Sequence, residues 1–339
     1  TDNWGFLASL AYGVTTGLDV QPSTTDILAY QDLIDAGLML GPRALSTGPG
    51  IFANNKFRSL AHTQAVLGRY RDHYGVRNLK AYIAGNRKQR QWIVQAAQAL
   101  KLMPTTEGAL DMKLNMTHVL DGFSGNEHNF PVLGLYHDTV ELVAQSQIAY
   151  TPTLLVNYGG PWAESYFYTR ESPYDDAKLS RFTPGNVVDA RTLRNVWFAD
   201  QEYTFPPFAE HAARILRRGG RVGVGSHGQV QGLGYHWELW ALATGLTNAE
   251  ALAIATRGGA EMIGVGRDLG TISQGKLADL LVLRSNPLED IRNSADIRLV
   301  MKNGELFEAD TMDQLWPQAK PLPPQWWWDQ GPPAATPAD

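Results

Sequence analysis

Residues 270–291 read GTISQGKLADLLVLRSNPLEDI. Gly270 and Gly275 suit tight turns where a side chain would clash. Ala278 to Leu283 is a short apolar run of strand type. Asn286-Pro287 then stops it, because proline cannot donate to a ladder. Taken alone, this pattern fits a β-hairpin, which many folds share. Its meaning comes from what precedes it. The first 265 or so residues alternate short apolar runs with amphipathic stretches. Strands are expected at Gly13–Leu18, Pro42–Thr47, Asn78–Ile83, Leu102–Thr106, Gly122–His128, Tyr150–Val156 and Arg221–Gly225. Between them, apolar residues three and four apart predict helices over Thr24–Ala36, Phe57–Tyr74, Arg87–Leu100, Tyr136–Gln147 and Pro207–Arg218. Such alternation implies a parallel sheet covered by helices, either a (β/α)₈ barrel or a doubly wound sheet. The chain has no GxGxxG turn after its first strand and no GxxxxGK[ST], which weighs against nucleotide-binding open sheets.

Composition narrows the chemistry. The 339 residues suffice for one large domain and a small one. A formal net charge of −5 without a basic stripe argues against nucleic acid as a partner. No apolar run approaches the roughly 20 residues that cross a bilayer. The chain has no cysteine, so disulfides, thiolate nucleophiles and cysteine metal sites are excluded. A metal would have to be held by His, Asp, Glu or a modified Lys.

Among the eight histidines, His128 and His227 each end an apolar strand, where a barrel presents groups to its mouth. His62 and His73 lie on a polar helical stretch, and His137 and His211 near helix starts, where surface roles are expected. Lys80 falls in the apolar string NLKAY, and burying an ammonium without a partner is costly. Asn157 to Tyr203 is long for a connection and dense in aromatics, among them Tyr158, Trp162 and Tyr166. Following a strand, it would overhang the mouth as a lid or substrate wall, with Tyr158 as a substrate contact. The tail carries Trp326, Trp327 and Trp328, which suggest a strap on the body, and residues 334–339 are expected to be disordered.

The string 270–291 resembles the segment that closes the barrel of amidohydrolase-superfamily enzymes, including the imidazolonepropionase-like group. GLGYHWELWALATGLTNAEALA, residues 232–253, is similar to the helix pair that precedes it. The resemblance implies a (β/α)₈ TIM barrel over 1–265 and, over 266–339, a partial C-terminal β-sandwich limited to Leu269–Phe307 followed by a tail. Seven strands and an immediate opening helix imply that the first barrel strand lies upstream of Thr1. The implied activity is metal-dependent hydrolysis of amide or peptide-like C–N bonds, with one or two divalent ions, zinc first among them. His128, in GFSGNEHNF, matches the family's metal-binding Glu-His. Lys80 matches a lysine that is often carboxylated and bridges two metals. Glu107, in TTEGALD, stands where the family commonly has a His. Val224-Gly225-Ser226-His227-Gly228 puts His227 where the family has the Asp of Gly-Thr-Asp, a ligand and proton shuttle. The implied metal set is therefore Lys80, Glu107, His128 and His227, with His227 also catalytic and His236 in contact with substrate. Glu238 is expected to anchor its helix.

The family's first strand also carries His-x-His, which is absent from residues 1–339. The expectation is that an upstream segment supplies it and completes the fold, and that residues 1–339 alone have little activity. Two alternatives stand beside the hydrolase: a degenerate barrel that only binds a partner, and a carboxylate glycosidase using Glu107. The resemblance is greatest to modules that follow a TolB-like propeller, which implies a periplasmic or secreted protein.

Overall fold

The computed structural model describes residues 3–20, 25–193 and 195–328. Helix α1 (Asn3–Ala11) leads into β1 (Thr16–Asp19), α2 (Asp26–Asp35) and β2 (Arg43–Ser46). Then follow α3 (Leu60–Asp72), β3 (Asn78–Ala81), α4 (Arg87–Leu100), β4 (Met103–Glu107), α5 (Met112–Asp121), β5 (Gly125–Glu127), α6 (His137–Ser146) and β6 (Ala149–Thr151). All seven expected strands form, and each predicted helix lies within a few residues of its expected span. Strand β7 (Arg221–Val222) completes the series.

Strands β3 to β7 pair in chain order as one parallel sheet, and β1 and β2 pair in parallel beside it. Ile51 bridges the two groups through a single parallel bridge to Ala81. Among the described residues no ladder joins β7 back to β1. All four residues of β3 are buried, as expected of a parallel strand with both faces covered. Local signals explain the helix starts. Ser59 Oγ accepts from the His62 N–H at the head of α3, and Asn86 with Gln89 forms a capping box on α4.

The expected long connection between β6 and β7 is largely helical. It contains α7 (Ala163–Tyr168), α8 (Ala177–Phe182) and α9 (Gly185–Thr192), then α10 (Phe205–Arg217). Phe167 stacks on Trp237 at 5.4 Å, so these aromatics join the main core. Helix α10 buries Phe208, Ala212 and Ile215 on one stripe, and His211 lies on it too. His211 is thus buried, not at the surface as its place near a helix start suggested, with Nε2 3.2 Å from the Leu133 carbonyl.

After β7 come α11 (Leu233–Leu242) and α12 (Asn248–Ala253). The C-terminal layer is an antiparallel sheet of β8 (Leu280–Leu283), β9 (Ile297–Lys302), β10 (Glu305–Glu308) and β11 (Gln314–Trp316), in the order β11-β10-β9-β8. It extends past Phe307, the limit expected for a partial sandwich, because the turn at 309–313 returns the chain antiparallel to β10. Its buried side chains Ile297, Val300 and Phe307 pack with Leu7 and Leu10 of α1 and Phe182 of α8. Gly270 and Gly275 both have positive φ, and a Cβ on Gly270 would come within 2.8 Å of the Ala260 Cβ. The tryptophan strap is present. Trp327 is buried, and the Trp327 and Trp328 indoles donate to the Arg181 carbonyl at 2.9 and 2.7 Å. Residues 334–339 lie outside the described residues. No described helix is long and apolar enough to cross a membrane.

Candidate active site

The ends of β3, β4 and β5 meet on one carboxylate. Register pairs Lys80 of β3 with Thr105 of β4, and Glu107 of β4 with Glu127 of β5. His128 follows directly after β5. Lys80 Nζ lies 2.9 Å from Glu107 Oε2, and His128 Nε2 lies 3.0 Å from Glu107 Oε1. The Tyr158 hydroxyl donates to the same Oε1 at 2.8 Å. Lys80 is almost fully buried and has Glu107 as its counter-charge, which answers the cost of placing an ammonium in an apolar strand.

His128 is held on three sides. Its Nδ1 lies 3.1 Å from the Val156 carbonyl, and its ring stacks on Tyr158 at 4.4 Å and 10°. The His227 ring lies 5.3 Å away, centre to centre. Both His128 nitrogens therefore face oxygen acceptors within the protein. His128 and His227 have φ of 64° and 57°, a left-handed backbone that is costly outside glycine. The structure thus brings Lys80, Glu107, His128, His227 and Tyr158 together.

Charge and burial set the protonation of the cluster. Burial pushes the Glu107 carboxyl up, but the hydrogen bond from His128 and the charge of Lys80 outweigh it and hold the group far below the usual carboxylate range. Burial, then the Glu107 charge, raises the Tyr158 phenol, which stays protonated. Burial, then the His128 charge, lowers His227, so its imidazole is neutral at pH 7.

Two further residues extend the cluster without having been foreseen. Tyr82 sits with its ring 5.3 Å from Lys80 Nζ and its hydroxyl on the Val20 carbonyl. It falls in the quoted string NLKAY, two residues from Lys80 and so on the same strand face. Asn129 adjoins His128 and bonds the backbone of Tyr158 at both its N–H and its carbonyl. His236 takes a different place. It is buried, with Nε2 2.9 Å from the Tyr12 carbonyl and Nδ1 3.0 Å from Ser294 Oγ. Both nitrogens are engaged within the protein, so the ring has no polar atom free to meet a substrate. Glu238, two residues on, accepts from the N–H groups of Leu154 and Leu155, which is an anchoring role.

The donor set fits a divalent ion in kind. Val156 holds Nδ1 of His128, which turns Nε2 toward the Glu107 carboxylate, as a metal-binding imidazole is oriented. Lys80 would fit only after losing its positive charge. Among the described residues, no three His, Asp or Glu side chains are arranged to hold a metal ion by themselves.

Comparison with known proteins gives the family. The profile of the amidohydrolase family matches residues 95–307, and the chain belongs to this family of hydrolases, which act on C–N bonds. No curated protein sequence matches it. Its fold is similar to that of a Xaa-Pro dipeptidase with bound methionine (TM-score 0.65, 20% identity, 89% of this chain and 78% of that one). It is also similar to the A. niger ochratoxinase (0.66, 16%, 90% and 74%) and to molinate hydrolase (0.68, 15%, 91% and 75%). These likenesses mark a TIM-barrel-like α/β fold.

Proposed function

We propose that the chain hydrolyses an amide or peptide-like C–N bond at the Lys80–Glu107–His128–Tyr158–His227 cluster, on a (β/α)₈ barrel lacking one strand. One observation carries the reading: residues from three adjacent parallel strand ends and the loop after a fourth converge on the Glu107 carboxylate. Parallel barrels place their active sites at that end. The dipeptidase among the similar folds supports a peptide-like substrate.

Glu107 and His128, with Lys80 carboxylated on Nζ, would hold a divalent ion, zinc as first candidate, and His227 would either join them or stay unligated and move the proton. Such an ion lowers the pKa of a bound water and polarises a carbonyl. The chain's own groups supply the rest. The protonated Tyr158 hydroxyl donates a hydrogen bond to the substrate's carbonyl oxygen as negative charge develops there. A neutral His227 nitrogen takes the proton from the attacking water and delivers it to the leaving nitrogen. The products are a carboxylate and an amine. The family match disfavours both the glycosidase and the binding module.

The test loads the chain with Zn(II) in the presence of bicarbonate, counts bound metal, and screens dipeptides and N-acyl amino acids. One or two ions and a low but measurable turnover of some member are expected, in keeping with the little activity expected of residues 1–339 alone. His227→Asn keeps a weak ligand but no proton acceptor, so zinc should stay while turnover falls by about 10²–10⁴-fold. Unchanged turnover in His227→Asn, or no metal and no turnover in the parent, overturns the reading.

A further inference from the structure

We propose that Asn129 and Glu238 are positioning residues: they grip the segment 154–158 from two sides and thereby fix His128 and Tyr158 against Glu107. The inference rests on the reading of that cluster as the active site. Neither residue touches Glu107. Each acts through the five residues that follow β6.

Glu238 is fully buried on α11. Its Oε1 accepts the Leu154 N–H at 2.8 Å and its Oε2 the Leu155 N–H at 2.9 Å. Those two donors open the short 3₁₀ turn Leu154–Val156, entered through Thr153 at a left-handed φ of 53°. The carboxylate therefore holds a turn whose backbone is strained at its first step. The turn ends at Val156, whose carbonyl meets His128 Nδ1 at 3.1 Å. The position of Glu238 is thus transmitted to the imidazole through one rigid turn.

Asn129 grips the far end. Its Oδ1 accepts the Tyr158 N–H at 2.6 Å and its Nδ2 donates to the Tyr158 carbonyl at 2.8 Å. The side chain is fully buried, so these bonds are not exchanged for water. Asn129 follows His128 in the chain. One dipeptide at the end of β5 therefore holds both Val156 and Tyr158, and Tyr158 returns its ring to His128 and its hydroxyl to Glu107. The loop closes on itself, and Glu238 enters it from α11, as Thr204 does at Asn157.

A purely structural role would change stability without touching the state of the cluster. The experiment therefore reads the cluster directly. ¹⁵N-histidine NMR gives the His128 tautomer, with its signal assigned by loss in His128→Gln. ¹³C-tyrosine NMR follows the Tyr158 phenol, assigned by loss in Tyr158→Phe. Glu238→Gln loses one of two acceptors and sets an amide N–H₂ against a backbone N–H, so the His128 Nδ1 resonance should move toward an averaged tautomer. Asn129→Ala frees Tyr158 from both backbone bonds, so its ring should leave the His128 stack and its ¹³C signals should move toward those of a solvent-exposed tyrosine. Asn129→Asp keeps one bond and should fall between. Thr247→Ala, at the N-cap of α12, serves as the purely structural control and should lower the melting temperature while leaving both signals in place. If either variant does not fold, the other and Asn129→Asp still decide. Parent-like His128 and Tyr158 signals in folded Glu238→Gln and Asn129→Ala overturn the proposal. Because the readout needs no substrate, moved signals alongside an inactive parent would leave the positioning intact and reject only the hydrolytic reading.

Discussion

Replacing Glu107 by glutamine separates the partners of the central carboxylate, because they depend on it unequally. Lys80 is 2% exposed with Glu107 as its counter-charge, whereas Glu107 also accepts from His128 and Tyr158. Glu107→Gln therefore leaves a buried ammonium facing a neutral amide. Removing one member of a buried ion pair costs about 3–5 kcal/mol, since the surviving charge stays desolvated. The Glu107 side chain is 20% exposed, which admits some solvent screening and sets the cost near the low end of that range. Lys80→Met is milder: the carboxylate keeps two donors, and the loss is about 1.5–3 kcal/mol, the worth of one charge-assisted bond. The double variant replaces both charges and should cost less than the sum, by about 1–3 kcal/mol. Unfolding entropy near 2.1 cal/mol/K per residue over 339 residues is about 0.7 kcal/mol/K, so a 3 kcal/mol loss lowers the melting temperature by roughly 4 °C. Calorimetry of the four proteins at pH 7 reads this cycle, given a single transition. A Lys80→Met loss equal to or larger than that of Glu107→Gln, or strict additivity in the double variant, refutes the asymmetry.

Two other outcomes follow from the same geometry. The folded Glu107 carboxyl lies below its unfolded value, so its contribution is complete above the ordinary carboxylate range and is lost as pH falls through and below it. Urea titrations should show Glu107→Gln flattening the acid limb of stability between about pH 5 and pH 2, and a limb as steep as the parent's would contradict the pairing. In the tail, Trp327→Ala should cost about 3 kcal/mol or more by emptying a buried site, whereas Trp326→Ala, 55% exposed, should stay within about 0.5 kcal/mol. Equal melting temperatures for the two variants would dismiss the strap.

The strands were legible chiefly where a short run is buried on both faces, as in β3, and their C-terminal ends lie at or near Lys80, Glu107, His128 and His227. What periodicity left hidden lies between β6 and β7. There α7 and α8 have six residues each, too few turns for a clear amphipathic pattern, and they fold because Phe167 and Phe182 find partners elsewhere. His236 illustrates a different limit. Residues 236 and 238 lie two apart on α11, a spacing that sends side chains to different sides of a helix. One side faces the turn after β6, where Glu238 is used, and the other faces Tyr12 and Ser294, where His236 is held. A resemblance that carries both residues to the mouth does not distinguish those sides. His211 was readable: it shares a stripe with Phe208, Ala212 and Ile215, and a histidine at such spacing is buried with its neighbours.

Backbone strain locates the same site without reference to residue chemistry. Ile83, His128, Thr153, His227 and Val230 are non-glycine residues with positive φ, and each follows the C-terminal end of a parallel strand. Of the other left-handed residues, Lys101 and Gln147 cap helices and Lys56 a 3₁₀ turn, where this conformation is ordinary, while Asn303 and Met312 lie in turns of the C-terminal antiparallel sheet. At the strand ends it is not, least of all for the β-branched Ile83, Thr153 and Val230, and each instance costs of order 1–3 kcal/mol. Such conformations persist only where the surroundings over-determine them, and at Thr153 and His128 the buried bonds of Glu238 to Leu154 and Leu155, and of His128 to the Val156 carbonyl, do so. A fold selected for stability alone would place glycine or asparagine at these turns. Retaining histidine at two of them is explained if the left-handed step is what turns the imidazoles of His128 and His227 toward one another over Glu107. Strain and charge therefore mark one end of one sheet, which is the physical ground for placing the chemistry there.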